Sequence, residues 1–507
     1  MDAGQGEVVR DGRTRGRPPS VAASPRLGHP GLAPRKLRRA QGRAARDILP
    51  LSANATLGPG VRDPVAVLEA QAATRLPELI ALRHARMAAS PFAFFRGAAA
   101  IMALDLQALG DSGIRVQLCG DAHLGNVGLY ASPERRLVLD LNDFDETAEG
   151  PFEWDVKRMA ASFEVAARAN GLPDAERSGL TRRFALAYRD AVREASRMSV
   201  LATFSGHLEF ERVLADLAGR LPAEAVERAH RGVVKARTRT SRQAARALTE
   251  RLDGAVRFRV DPPILTPLDT LVERGAISEA DAHDRLHALL AGYEASLPPN
   301  RRRIVAKYRV VDAALKVVGV GSVGTRAWVV LLRGNGRRDV LVLQAKEAQR
   351  SVIEPVDGPS AYAHQGRRVV DGQHVMQALS DVLLGWTEGL GADGLPHDFF
   401  VRQFRDMKAS FTPERMDPVA LGLYAETCGL VLARAHARGG DAAVISGYLG
   451  DGREFADALA DFADAYATRT AADHAALLAA IASGRVAASD LPGPDHRGDT
   501  DRAEASR

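Results

Sequence analysis

The residues best suited to chemistry crowd into one segment, Cys119 to Arg158, which reads CGDAHLGNVGLYASPERRLVLDLNDFDETAEGPFEWDVKR. It contains Asp121, His123, Asn126, Asp140, Asn142, Asp143, Asp145 and Asp155. So many carboxylates close together repel one another unless a cation or a basic side chain offsets them. Asp121 is followed five positions later by Asn126, the spacing of a loop in which Asp takes the proton of an attacking hydroxyl and Asn holds Mg²⁺. His123 is expected to brace that loop by hydrogen bonds. Mg²⁺ prefers oxygen ligands and keeps several waters, so one Asn and one Asp plus substrate phosphates suffice to hold it. Asp143 is the expected second metal ligand because it ends LDLND; Asp140, closer to Asn126, is the runner-up, and Asp145 is a further group able to face the metal. The chemistry expected of this set is phosphoryl transfer. Asp155 opens a helix in FEWDVKR, either as an acid favoured by the helix dipole or as a buried brace beneath the loop.

These groups need rigid supports. In RLVLDL, Leu137, Val138, Leu139 and Leu141 predict a buried strand that delivers the following carboxylates at its end. A second support lies almost two hundred residues downstream, where GVGSVGT sets Gly319, Gly321, Ser322 and Gly324 between two β-rich runs. A dinucleotide site needs a helix directly after such glycines, but RAWVVLL follows and reads as strand. The arrangement instead fits a glycine-rich hairpin laid over nucleotide phosphates. A Walker A loop is excluded, since no lysine in the chain precedes Ser or Thr. Lys346, near the end of DVLVLQAKEA, is placed to meet the phosphates. Lysine is scarce in this chain, which makes one inside a hydrophobic strand notable. Its acidic partner stays open among Glu347, Glu354 and Asp381, with Gln373 and Gln377 on the next helix. The expected cofactors are ATP and Mg²⁺.

A chain of 507 residues with net charge +5 suggests two or three folded units. No apolar run of about 18 residues occurs, so no membrane span is expected. The two cysteines, Cys119 and Cys428, form no disulfide framework or metal spacing, which predicts a cytoplasmic setting; the N-terminus lacks the apolar core of a secretory signal. Residues 1 to about 55 are rich in Gly, Pro, Arg and Ser and read as a disordered tail, with order beginning near Asp63. Helices are expected in 63–108, in 175–198 and through the charged stretch 208–252, and again over 278–296, 371–388 and 416–440, with two more between 453 and 484. HDFFVRQFRDMK reads as a strand leading to a linker.

CGDAHLGN, LDLNDFDE and FEWDVKR resemble the catalytic half of the aminoglycoside phosphotransferase and choline kinase group, which shares the protein-kinase fold. RLPELIALRHARMAASPFAFFRGAA, GDAHLGNVG, LNDFDETAEGPFEWDVKR and FFVRQFRDMK more closely resemble a bacterial family, domain of unknown function 2252, over roughly residues 60 to 450. The kinase resemblance implies an α+β, two-lobe fold with its parts permuted. The metal motifs here precede the glycines, whereas in that group the glycine loop and lysine come first. The implied division is a tail over 1–55, a catalytic segment over 56–200 and a helical insertion or cap over 201–302. A β-rich nucleotide lobe with hinge follows over 303–410, then a helical large-lobe segment over 411–487 and a tail over 488–507.

The function implied is an ATP- and Mg²⁺-dependent phosphotransferase acting on a small-molecule hydroxyl, with Arg96 able to contact an anionic group. The alternatives are a pseudokinase-like regulator and an AMP transferase using ATP reversed in the same cradle. A metallophosphoesterase fits less well, because its GD-x-x-D and GNH segments are missing. Neither a membrane nor a nucleic-acid partner is expected.

Overall fold

The strand Leu137–Leu141 is buried along its whole length and pairs antiparallel with Val127–Ala131. A computed structural model describes residues 32–489 apart from 61, 392, 414 and 415. Of the tails expected over 1–55 and 488–507, residues 1–31 and 490–507 lie outside the described residues. Beneath the hairpin runs the helix Phe152–Ala169, buried over nearly all its length. It is packed among Asp174–Ala195, Pro418–Gly439 and Arg453–Ala482. This α+β chain contains, among the described residues, no helix long and apolar enough to cross a membrane.

The second body of structure is a six-stranded antiparallel sheet. Its order is Gly385–Leu390, Pro396–Gln403, Val340–Glu347, Ala327–Arg333, Arg309–Lys316 and Leu265–Pro267. Side chains alternate across a strand, and this sheet uses both faces. Val330, Leu332 and Leu343 pack with Leu289, Leu290 and Tyr293 of helix Glu279–Ser296. Val329, Leu331 and Val342 pack with Ala244, Ala245 and Leu248 of helix Ser241–Leu248. After Gln403 the chain crosses to the other body, where Ala409–Ser410 adds to the strand Val127–Ala131.

Several sequence expectations need correction. The stretch 201–302 is not a detachable helical cap: its strand Leu265–Pro267 edges the sheet, and two of its helices cover the sheet's faces. The charged stretch leaves the helix at Leu248 and makes a small hairpin, Thr249–Leu252 with Ala255–Phe258. The expected helix over 371–388 is Gln365–Met376, and Gly385–Leu390 is an edge strand whose β-forming Trp386 and Thr387 outweigh the apparent periodicity. The last pair of helices is one, Arg453–Ala482, a run without Gly or Pro to interrupt it. In the opposite sense, the first expected helix divides at Pro77, which takes a first helical position, and the second, which begins at Pro91, divides at Ala98.

Order also begins earlier than Asp63. Arg35–Ala44 is a helix lying on Ala442–Leu449. The arginines here are not simply solvated: Arg38 of the helix pairs with Asp441 at 2.6 Å, and Arg46, just past its end, donates to the Tyr448 carbonyl at 2.7 Å. Glycines let the two helices touch, since a Cβ on Gly42 would sit 1.9 Å from the Val444 carbonyl oxygen and one on Gly447 2.2 Å from that of Arg39. Gly42→Val is expected to push this helix off and cost about 1–3 kcal/mol, a typical overpacking penalty. Trypsin cleavage within 35–46, slow in the native protein, checks the release of the helix; an unchanged digestion pattern contradicts it.

Candidate functional site

The strand Arg115–Leu118 delivers Cys119 and Gly120 into a turn that only glycine permits. Gly120 has φ +81°, and a Cβ there would meet the Glu146 carbonyl oxygen at 2.0 Å. The backbone N–H groups of Cys119 and Gly120 both donate to the Asp155 carboxylate, at 2.7 and 3.0 Å. His436 lies 3.2 Å from the same carboxylate, and the Tyr188 hydroxyl meets the other ring nitrogen of His436 at 2.8 Å. Asp155 is thus a buried brace under the loop, one of the two roles its sequence position allowed.

Above that brace, the Asp121 carboxylate receives Arg158 Nε at 2.6 Å, while Arg158 also donates to the Phe95 carbonyl. Burial pushes Asp121 up to about 6; Arg158 opposes the rise, and the negative charge of Asp143 adds to it. The Asn126 amide nitrogen donates to the Asp121 backbone carbonyl at 2.7 Å, which leaves the amide oxygen as the atom available to a cation. His123 Nδ1 accepts from the Gly125 N–H at 3.0 Å, so it does brace the turn. Burial drives its pKa well below the ordinary histidine value, so the ring stays neutral. The Tyr424 hydroxyl of helix Pro418–Gly439 donates to the Leu124 carbonyl from behind the loop.

Lys346 finds its partner in none of the expected places. Glu347 pairs with Arg326, Glu354 with Arg350, and Asp381 with the Gln403 N–H. Gln373 and Gln377 bond to each other, and Gln377 also donates to the Leu141 carbonyl. The buried ammonium instead forms an ion pair with Asp145, 201 residues earlier in the chain, and lies 3.9 Å from Asp143. Burial would lower the Lys346 pKa, but Asp143 and Asp145 outweigh it and raise it. Burial would likewise raise Asp143, yet Lys346, Arg402 and Lys408 hold it at about 2. Asp145 goes the other way, because burial and the charge of Asp143 exceed the pull of Lys346. One oxygen of Asp145 is buried without a hydrogen-bond partner among the described residues. Asp140, the runner-up ligand, does not line this cleft; its carboxylate accepts from the Leu141 N–H and lies 3.9 Å from Arg438.

The glycine turn forms the opposite wall and is anchored. Arg86 donates to the Gly319 carbonyl at 2.6 Å, Arg75 to that of Val323 at 2.5 Å, and the Leu76 N–H to that of Gly324 at 2.7 Å. Val320 and Val323 are buried in apolar clusters. Gly319 and Gly324 have φ of +65° and +91°. The Ser322 hydroxyl lies 3.3 Å from Asp145. Gly319, Gly321, Ser322, Asp121, His123, Asn126, Asp143 and Asp145 all line one cavity, together with Glu146, Arg75, Arg83 and Arg96. Gly324 and Lys346 are not on its wall. The cavity measures about 100 Å³, room for about three waters.

Among the described residues, no group of three or more His, Cys, Asp or Glu is set to hold a metal. A hard cation can still use Asp143, Asp145 and the Asn126 amide oxygen, with water and phosphate filling the other positions. Sequence reasoning missed Arg75, Arg83, Glu146 and Arg158. The available signal was Arg83, which falls four residues after Leu79 on the buried side of helix Pro77–Ala88. Replacing Asp155 by Ala strands two buried N–H donors and is expected to cost about 2–6 kcal/mol, at roughly 1–3 per donor. Urea denaturation measures this, and an unchanged midpoint contradicts the brace.

No curated protein and no solved structure matches the chain. A family model described as an uncharacterized protein conserved in bacteria matches residues 75–480. That span covers well over half of the chain, and the chain belongs to this family, DUF2252.

Proposed function

We propose that this cleft is the centre of an ATP- and Mg²⁺-dependent phosphotransferase acting on a hydroxyl of a small molecule, built on a kinase-like two-lobe fold with its parts permuted. The observation that carries the reading is the meeting of Lys346 with Asp143 and Asp145 across 201 residues of chain. The local order of the sheet supports it. A glycine turn joins its first two long strands, the lysine lies on the third, and the helix Gln365–Met376 and two more strands follow. The helix Pro418–Gly439 adds support, because Tyr424 and His436 reach the loop and its brace from behind, as a helix leading into a catalytic loop would. One feature departs from kinases: no acid of Gln365–Met376 holds the lysine, and Arg368 of that helix grips the carbonyls of Asp145, Thr147 and Gln349 instead.

In this reading Asp121 orients the acceptor hydroxyl and takes its proton, with Arg158 keeping the carboxylate in place. Asn126, Asp143 and Asp145 hold the cation, which when bound neutralises charge on the phosphates. Ser322 and the glycine turn face the phosphates from the other side. A second cavity of about 530 Å³ shares Arg96 with the cleft and is lined by Phe92, Ala93, Asn170, Leu172 and Met416. It is the natural seat for the acceptor.

The test is incubation with Mg²⁺, a metabolite pool and ATP labelled separately at the α- and γ-positions. Label from the γ-position in a product supports phosphoryl transfer, label from the α-position alone replaces it with AMP transfer, and no product with retained nucleotide binding favours a pseudokinase-like regulator. Asp121→Ala is expected to lose transfer while still binding ATP; full activity in that variant rejects the assignment. Because Asp121 must be ionised and is held at about 6, the acid limb of the pH–rate profile is expected near pH 6. Removing the opposing charge with Arg158→Met raises the carboxyl further, so the limb moves to higher pH.

A further inference from the structure

The cleft contains a cationic wall whose buried N–H donors are only partly used by the contacts described above. Arg83 is 1 % exposed, and its guanidinium donates from Nη2 to the Gly97 carbonyl and the Gln71 side chain, each at 3.1 Å. Its Nε and Nη1 have no partner among the described residues. It forms no ion pair among them, and the one charged neighbour that acts on it is another cation, Arg75. Arginine does not shed its proton in proteins, and an unpaired buried charge is costly. Beside it, Arg75 and Arg96 also line the cleft, and each has a buried Nε without a partner. The three side chains come from one stretch of two helices and the turn before them, Pro77–Ala88 and Pro91–Gly97. They share the lining of the cavity with the glycine turn and with Asp121, Asp143 and Asp145.

We propose that Arg83, with Arg75 and Arg96, forms a clamp for a phosphate group of the ligand that enters this cleft. A phosphate carries several charges and terminal oxygens at fork spacing, which suits multiple guanidinium donors better than a singly charged carboxylate does. A cation held on the carboxylate side and a phosphate held on the arginine side would then meet in the middle of a cavity of about 100 Å³. The clamp rests on reading this cleft as the functional site but does not depend on which bond is broken there. The phosphate belongs either to the tail of a nucleotide donor or to a phosphorylated acceptor.

The experiment is calorimetric titration of the full chain with sodium tripolyphosphate and with orthophosphate, each without metal, alongside thermal melting. Saturable binding and a raised Tm are expected for the native protein. Arg83→Met is expected to weaken binding about ten- to hundredfold, the value of losing hydrogen bonds to a charged group, and to leave the ligand-free Tm unchanged or higher. Arg337→Gln, on an exposed turn, should bind as the native chain does. Native affinity in Arg83→Met, or no binding of either anion to the native protein, overturns the clamp. If Arg83→Met does not fold, Arg96→Met, at a less buried position, carries the same comparison. Orthophosphate that still binds in the presence of a saturating Mg²⁺ complex of a non-hydrolysable ATP analogue, whose γ-phosphate fills the donor position, marks an acceptor phosphate, and mutual exclusion marks the donor's tail. Anion binding lost in Arg83→Met without any γ-phosphate transfer in the native protein keeps the clamp and rejects the phosphotransferase. Transfer that proceeds in Arg83→Met with unchanged KM keeps the phosphotransferase and rejects the clamp.

Discussion

Charge compensation across the cleft is the constraint on which the rest of the site depends. Asp143 and Asp145 project from the end of a fully buried strand, where two carboxylates so close together cannot both ionise without a cation at hand. Lys346 supplies one, and reaching it requires the six-stranded sheet to lie against the hairpin of the other body. Arg402, near the end of the sheet strand Pro396–Gln403, and Lys408, on the chain that crosses between the two, act on the same carboxylates. The ion pair therefore ties the two bodies together at the place where their chemistry is proposed to occur. Its strength is conditional: a buried pair stabilises only while both partners remain charged and matched.

The helices before the Asp121–Asn126 loop change the character of the cleft. They and the turn before them carry Arg75, Leu76 and Arg86, which hold three carbonyls of the glycine turn, while Val320 and Val323 are buried in apolar clusters with residues of these same helices. A turn so anchored is a wall, and the narrow cavity beneath it follows from that anchoring. The same segment supplies the guanidinium groups of Arg75, Arg83 and Arg96, each with a buried nitrogen that has no partner among the described residues. One segment thus closes the cleft and makes it cationic.

Support for the loop comes from far along the chain. Asp155 receives two N–H groups from the loop and is itself held by His436, which Tyr188 orients. Tyr424 secures the Leu124 carbonyl from the same helix that carries His436. This stack of hydrogen bonds is buried throughout, so each member is costly to remove.

The sequence by itself determined the local features. Chain spacing set the Asp121–Asn126 loop, apolar run length set the strand before Asp143, and turn chemistry set the strand after GVGSVGT, which disfavours a dinucleotide turn. Each is a short-range pattern, which periodicity and turn chemistry encode directly. It misjudged elements whose fate depends on a distant surface: Arg35–Ala44 looked like a solvated tail until Gly42 met Val444, and Leu265–Pro267 was hidden in a stretch that read as helix. Only the tertiary structure decided that Lys346 pairs with Asp145, that Asp140 turns away toward Arg438, and that Arg83 is buried facing the cleft. The physical reason is common to all three. Whether a charged side chain serves as ligand, brace or partner is set by which groups share its low-dielectric surroundings, and that is a property of packing across hundreds of residues that no local pattern contains.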